Sequence, residues 1–303
     1  MAHPPRPLDY LLLGLLSVLW GSSFLLIKLA GASFPPLSIT AGRLCLGAAV
    51  LLAVARLGGG RLPRGLAAWR YIALFGLLGM VIPFALISWG ETRIDSGLTA
   101  ILMAIIPLVT VLLAHFLQRD EPLSGGRLLG VGLGIAGVLV LVGPAALAHL
   151  GADLAGQLAV CAATVTYALA GNLARRIPPL PAEVIGAAAL LCATAITVPT
   201  ALVVDRPWQH MPGGLALAAL LALGLVGTAG GYILFFRLLA RCGAGFASSC
   251  NFLIPLVGVA WGVLLLDETP SPNAIVALAL ILIGLAMPRL WPGRPARGSP
   301  AAG

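Results

Sequence analysis

Apolar residues run through this chain in stretches of about twenty, and polar residues gather in short clusters between them. Cutting at the charge and Pro/Gly clusters predicts helices over about 9–30, 35–57, 68–90, 96–118, 126–146, 154–174, 181–203, 214–236, 244–266 and 273–291. Each approaches the length of about 20 residues that carries an α-helix across a hydrocarbon core of about 30 Å. The connections are short and leave no room for a soluble domain. The pattern therefore predicts an all-α integral membrane protein with ten transmembrane helices. The first run is too long for the core of a signal peptide and shows no small-residue cleavage site before charge returns, so it is expected to remain as a span.

Composition excludes the alternatives. Of 303 residues, 60% are hydrophobic and 9% charged, against roughly 45–50% and 25% in ordinary soluble domains. The net charge of +8 does not point to nucleic acid, because the basic residues are scattered in ones and twos rather than gathered on one element. They instead orient the chain. With the N-terminus inside, fourteen of the eighteen Lys and Arg fall on inner segments: Arg6, Arg56, Arg61, Arg64, Arg70, Arg119, Arg127, Arg175, Arg176, Arg237, Arg241, Arg289, Arg294 and Arg297. Lys28, Arg93 and Arg206 fall outside and Arg43 lies within a span, so the positive-inside rule predicts both termini in the cytoplasm. The five cysteines have no CxxC pair and read as small hydrophobes, with no disulfide or metal intended. No cofactor motif, P-loop or cluster of catalytic groups is present. The adjacent acidic pairs Asp120–Glu121 and Asp267–Glu268 fall at opposite membrane faces and cannot act together, so no enzyme is expected.

The chain also repeats itself. SGLTAILMAIIPL at 96–108 precedes AGFASSCNFLIPL at 244–256 by 148 positions. In the same register Gly76 and Gly79 match Gly224 and Gly227, and after a one-residue slip Trp20 aligns with Tyr167 and EPLS at 121–124 faces ETPS at 268–271. This predicts two five-helix repeats, 1–148 and 149–291, followed by a disordered cytoplasmic tail at 292–303. Five is odd, so the second repeat enters the membrane from the opposite side, an arrangement characteristic of secondary transporters.

Polar residues inside spans are costly facing lipid and turn toward the bundle interior or an aqueous cavity. Trp20 and Ser23 in the first span, Phe84 and Ser88 in the third, Tyr167 in the sixth, Tyr232 in the eighth, and Ser248 and Asn251 in the ninth form stripes that meet near mid-membrane. They are the candidate binding residues for an amphipathic organic solute. The alternative for the hydroxyls is a bond to a backbone carbonyl or a neighbouring helix. Lys28, Arg43 and Glu91 are candidate gate or coupling residues, forming an external cluster with Arg93 and Asp95; the alternative for Lys28 and Arg43 is snorkelling. Glu183 and His115 read as interfacial. Gly126, Gly130 and Gly134 form a small-xxx-small packing ridge.

LWGSSFLLIKLAGASFPPLSITAGRL at 19–44, GLTAILMAIIPLVTVLLAHFLQRDEPLS at 97–124 and AGFASSCNFLIPLVGVAWGVLLLDETPS at 244–271 resemble the EamA branch of the drug/metabolite transporter superfamily, over essentially residues 9–290. The resemblance implies ten helices, a bacterial inner-membrane location and proton-coupled export of amino acids or related metabolites. Trp20, Gly21 and Ser22 stand where the small multidrug relatives carry an essential glutamate, a departure from cationic-drug exchange by that mechanism. The expected function is a secondary transporter exporting small metabolites by alternating access, as a monomer or homodimer, with a small solute, protons and the lipid bilayer as its partners. An importer of a sugar or similar nutrient is the alternative of the same fold, and a membrane scaffold or enzyme without transport the alternative of another class.

Overall fold

A computed structural model describes residues 4–117, 125–148, 152–209 and 211–291. Arg119, the Asp120–Glu121 pair, the EPLS block and the tail from 292 lie outside the described residues. Ten helical spans are present: α1 (Pro7–Ala30), α2 (Pro36–Leu57), α3 (Leu66–Gly90), α4 (Ser96–Phe116), α5 (Gly125–Ala148), α6 (Ala152–Ala174), α7 (Ala182–Val204), α8 (Gly214–Cys242), α9 (Ala244–Leu265) and α10 (Pro272–Leu290). Eight are long and apolar enough to cross a bilayer, and α5 and α10 carry the shorter apolar stretches Gly125–Leu141 and Pro272–Met287. No strand occurs among the described residues. Large apolar side chains such as Leu11, Leu57, Leu139 and Val203 stand exposed around the bundle, as they must where the solvent is hydrocarbon.

The span expected to end at residue 236 continues to Cys242. Arg237 suggested a boundary, but arginine is a good helix former. The helix stops where Gly243 takes φ +84°, a conformation that glycine adopts without steric penalty. Four spans are irregular in ways that the apolar pattern did not show. In α3 the backbone is π-helical over Leu77–Val81, and in α8 over Leu223–Gly230, places that the 148-residue offset relates. α4 breaks into Ser96–Met103 and Ile106–Leu117, and α9 into Ala244–Ala247 and Cys250–Leu265. Pro107 follows the break in α4 directly, and its missing N–H leaves the Met103 carbonyl without a helical donor, whereas Pro255 lies inside the second piece of α9. The breaks are not equivalent, because the one in α9 comes a turn earlier relative to its IPL block.

Small residues set the helix packing. α5 lies against α10 so closely that a Cβ on Gly130 would sit 2.5 Å from the carbonyl oxygen of Gly284. A Cβ on Gly126 would collide with the Trp291 carbonyl, and one on Gly134 with the Leu108 side chain. The ridge is thus a backbone-to-backbone contact at Gly126 and Gly130, and at Gly134 it receives a side chain of α4. α2 packs on α7, where a Cβ on Gly186 would lie 3.1 Å from Leu51, while on other sides Gly76 of α3 meets the Ala189 carbonyl and Gly47 of α2 meets Thr228 of α8. The other principal contacts join α1 to α9, α6 to α4, α1 to α8 and α6 to α3. Replacing each helix by the one five later preserves or exchanges these pairs, so the first five helices and the last five share one contact pattern.

Candidate functional site

Between the helices lies a cavity of about 300 Å³, at the lower end of small-molecule sites. Its walls come from α1, α2, α3, α4, α6, α8 and α9. Seven of the eight candidate binding residues, Trp20, Ser23, Phe84, Tyr167, Tyr232, Ser248 and Asn251, line it, and Arg43 does too. Ser88, Lys28 and Glu91 do not.

The WGS element builds one wall. Trp20 meets Tyr232 edge to face, with centroids 6.1 Å apart, and Phe235 at 5.4 Å. It fits because α8 has Gly231 opposite, where any Cβ would fall on the indole nitrogen. Gly21 brings α1 against α9, since its Cβ would lie 2.6 Å from Val257 Cβ. Ser22 Oγ accepts a 2.8 Å hydrogen bond from Trp261 Nε1 of α9. Across the cavity Tyr167 approaches Phe84 at 6.3 Å, so the two repeat-related aromatics serve facing walls.

The hydroxyls behave as membrane-helix hydroxyls commonly do. Ser23 donates to the Leu19 carbonyl, Ser248 to that of Gly245 and Thr164 to that of Cys161. Asn251 Nδ2 donates to the Ser248 carbonyl at 3.0 Å. Pro255, four residues on, leaves the Asn251 carbonyl without a helical donor.

Arg43 is the charged residue of the wall. It is 5% exposed, its Nε donates to Thr228 Oγ1 at 3.2 Å, and its guanidinium lies 3.8 Å above the Phe84 ring. Thr228 is presented by the π-helical stretch of α8, and its hydroxyl in turn donates to the carbonyl of Leu223, five residues back. π-Bulges are frequent at functional sites. Thr228, Phe24, Ile27, Met103 and Phe235 also belong to the wall. Of these, Thr228 carried a signal, a lone hydroxyl in the glycine-rich run GTAGG at 227–231.

The structure does not join the expected external cluster by ion pairs. Lys28 Nζ donates instead to the carbonyls of Glu91 and Ile94, 2.9 Å each, capping the end of α3 where a cation is favoured by the helix dipole. Arg93 lies 3.5 Å over the Trp89 ring and donates to the Trp89 carbonyl and Thr92 Oγ1. Glu91 is 3% exposed, and both its carboxyl oxygens, like the Ser88 hydroxyl one turn earlier, are buried without a hydrogen-bond partner. Among the described residues neither Arg43 nor Lys28 forms an ion pair with the Glu91 carboxyl.

At the arginine-poor end, two carboxylates tie helices of the two halves together. Glu268 accepts from Ser96 N, Ser96 Oγ and Gly97 N at 2.8 Å each, capping α4 from the α9–α10 loop. Ser271 caps α10, so the two ends of the Glu-x-x-Ser block serve different helices. Asp205, at the end of α7, accepts from Ser38 N and Oγ at the start of α2. At the arginine-rich end Arg241 pairs with Asp9 at 2.6 Å, and the cavity reaches the exposed Ser248 near the start of α9.

The chain resembles membrane transporters over nearly its whole length. It is 25% identical over 293 residues to the uncharacterized inner membrane transporter YedA of Escherichia coli (strain K12), covering 92% of this chain and 91% of that one. It is 28% identical over 279 residues to the S-adenosylmethionine/S-adenosylhomocysteine transporter of Chlamydia trachomatis serovar L2, covering 88% and 84%. It is 26% identical over 274 residues to the probable terminal-alkyne amino-acid exporter of Streptantibioticus cattleyicolor, covering 89% of each. A crystal structure at 23% identity superposes with a TM-score of 0.67 over 94% of this chain and 98% of that one, a likeness of fold. The model of the EamA-like transporter family matches twice, at residues 8–143 and 154–288. With ten helices around a solute-sized cavity and both family matches spanning them, the chain belongs to the EamA-like transporter family.

Proposed function

We propose that this protein is a secondary-active transporter of the bacterial inner membrane that exports amino acids or related small metabolites by alternating access. The observation that carries this reading is a mid-bundle cavity that gathers the intramembrane aromatics and Arg43 from both halves of the chain, with the Glu268 and Asp205 ties beyond one end and the exposed Ser248 hydroxyl at the other. The two five-helix units, 1–148 and 149–291, rock about it, and the arginine-rich end faces the cytoplasm. Solute then enters from the cytoplasm in the conformation described. The relatives named for S-adenosylmethionine and for an amino acid support a solute with an amino-acid core.

Trp20, Ser23, Phe84, Tyr167, Tyr232, Ser248 and Asn251 form the solute site. Lys28, Ser88 and Glu91 lie between it and the tied end. An ionised carboxylate buried without partners costs several kcal/mol, so Glu91 holds a proton while that end is closed and releases it when opening admits water. This makes Glu91 the coupling group. The test is efflux from proteoliposomes loaded with labelled amino acids, with and without a proton gradient. Gradient-accelerated efflux is expected, and Glu91→Gln should retain exchange while losing the acceleration. No flux of any amino acid through protein of normal melting temperature overturns the reading.

A further inference from the structure

Resting on that reading of the cavity, we infer that the solute carries a single carboxylate beside an apolar or aromatic moiety, and that Arg43 is its anchor. Among the residues lining the cavity Arg43 is the one with a full charge. Its guanidinium cannot lose its proton, and among the described residues no carboxylate lies within ion-pair distance of it. Thr228 engages Nε alone, which leaves the two terminal nitrogens. Those are the parallel donors that match a carboxylate. The side chain is nonetheless 5% exposed, an expensive position for an unpaired cation unless something in the transport cycle neutralises it. A solute anion does so.

The aromatic wall sharpens the class. A cationic solute would need an open ring face, but the guanidinium occupies one face of Phe84 at 3.8 Å. Tyr232 stacks on Phe236 at 5.8 Å, with Trp20 against its other surroundings. Two of the rings thus have a face already covered, and Arg43 repels an ammonium placed among them. One arginine balances one negative charge, so a carboxylate fits better than a dianionic phosphate ester.

The experiment measures melting-temperature shifts of the purified full chain with three probes of one skeleton: 3-phenylpropanoate, its neutral amide and 3-phenylpropylamine. Expected is stabilisation by the carboxylate at concentrations about tenfold or more below those the amide needs, and none by the amine. Arg43→Gln should weaken carboxylate binding by about ten- to a hundredfold without weakening the amide equally, with partial recovery in Arg43→Lys. If Arg43→Gln does not fold, Thr228→Val keeps the charge but frees the guanidinium, and carboxylate binding should fall several-fold. Amine binding equal to that of the carboxylate, binding of none of the probes, or loss of the arginine without effect on the carboxylate each overturns the assignment. The proteoliposome flux decides the transporter reading separately, because it needs no particular solute charge.

Discussion

Glu268→Ala should open the arginine-poor end. In the structure its carboxylate receives three donors from the first turn of α4, each at 2.8 Å. The approach depends on two glycines. A Cβ on Gly262 would meet Glu268 Oε2, and one on Gly97 would lie 3.0 Å from the same atom. Asp267, with φ +54°, turns the chain back so that Glu268 N–H closes on the Gly262 carbonyl at 3.0 Å. A hydrogen bond to a charged group nets about 1.5–3 kcal/mol and a helix cap about 0.5–2 kcal/mol. The three bonds share one half-exposed carboxylate that water partly replaces, so the whole clamp contributes about 2–3 kcal/mol. If the clamp exists only while this end is closed, its loss shifts the equilibrium between closed and open by about 30- to 150-fold.

The assay follows a cysteine at Ile27, which lines the cavity and is 2% exposed, in a background with the five native cysteines replaced; none of them is in a disulfide. A membrane-impermeant maleimide applied at the arginine-poor end of oriented vesicles should label Ile27→Cys at least about tenfold faster when Glu268→Ala is added. Unchanged labelling together with a lowered melting temperature would refute the argument: Glu268 would then be a static cap present in every state of the cycle.

Three further outcomes are expected. Gly130→Ala should lower membrane abundance and melting temperature, because its Cβ meets a backbone oxygen that no rotamer change can move, whereas Gly132→Ala, with nothing within 4 Å, should be silent; equal effects at both would dismiss the close α5–α10 contact. Trp20→Ala, Tyr167→Ala and Asn251→Ala should each weaken solute binding by about 1–3 kcal/mol, or about ten- to a hundredfold, at normal abundance, and saturation transport kinetics read this directly. Reporter fusions after residue 60 and at the C-terminus should be cytoplasmic and those near Asp153 and Asp205 external; the opposite result reverses the direction in which the described conformation opens.

Helix number, approximate span limits and four of the cavity aromatics, Trp20, Phe84, Tyr167 and Tyr232, were legible in the sequence because each rests on a local rule. Lipid demands about 20 apolar residues per helix, and polar or aromatic side chains on one helical face must turn inward. Trp20, Tyr167 and Asn251 could be picked out for that reason, and the ridge through Gly130 for its spacing alone. Ser88 shares a face with Phe84 along α3, yet it sits farther toward the tied end than the cavity reaches.

What only the tertiary structure decided was partnership. Lys28, Arg43 and Glu91 look alike in the sequence, as charges within or at the ends of spans. Folding gives Lys28 two carbonyls, gives Arg43 a threonine and a phenyl face, and leaves the Glu91 carboxyl without a hydrogen-bond partner among the described residues. The same holds for Glu268, whose role depends on a helix 171 residues away in the chain. Hydrophobic patterning is set by each residue's own preference for lipid or water, so it survives in one dimension. The energy of a buried charge is set by the atoms around it, and π-helical turns such as the one that presents Thr228 bring those atoms together in a register that apolar periodicity does not encode.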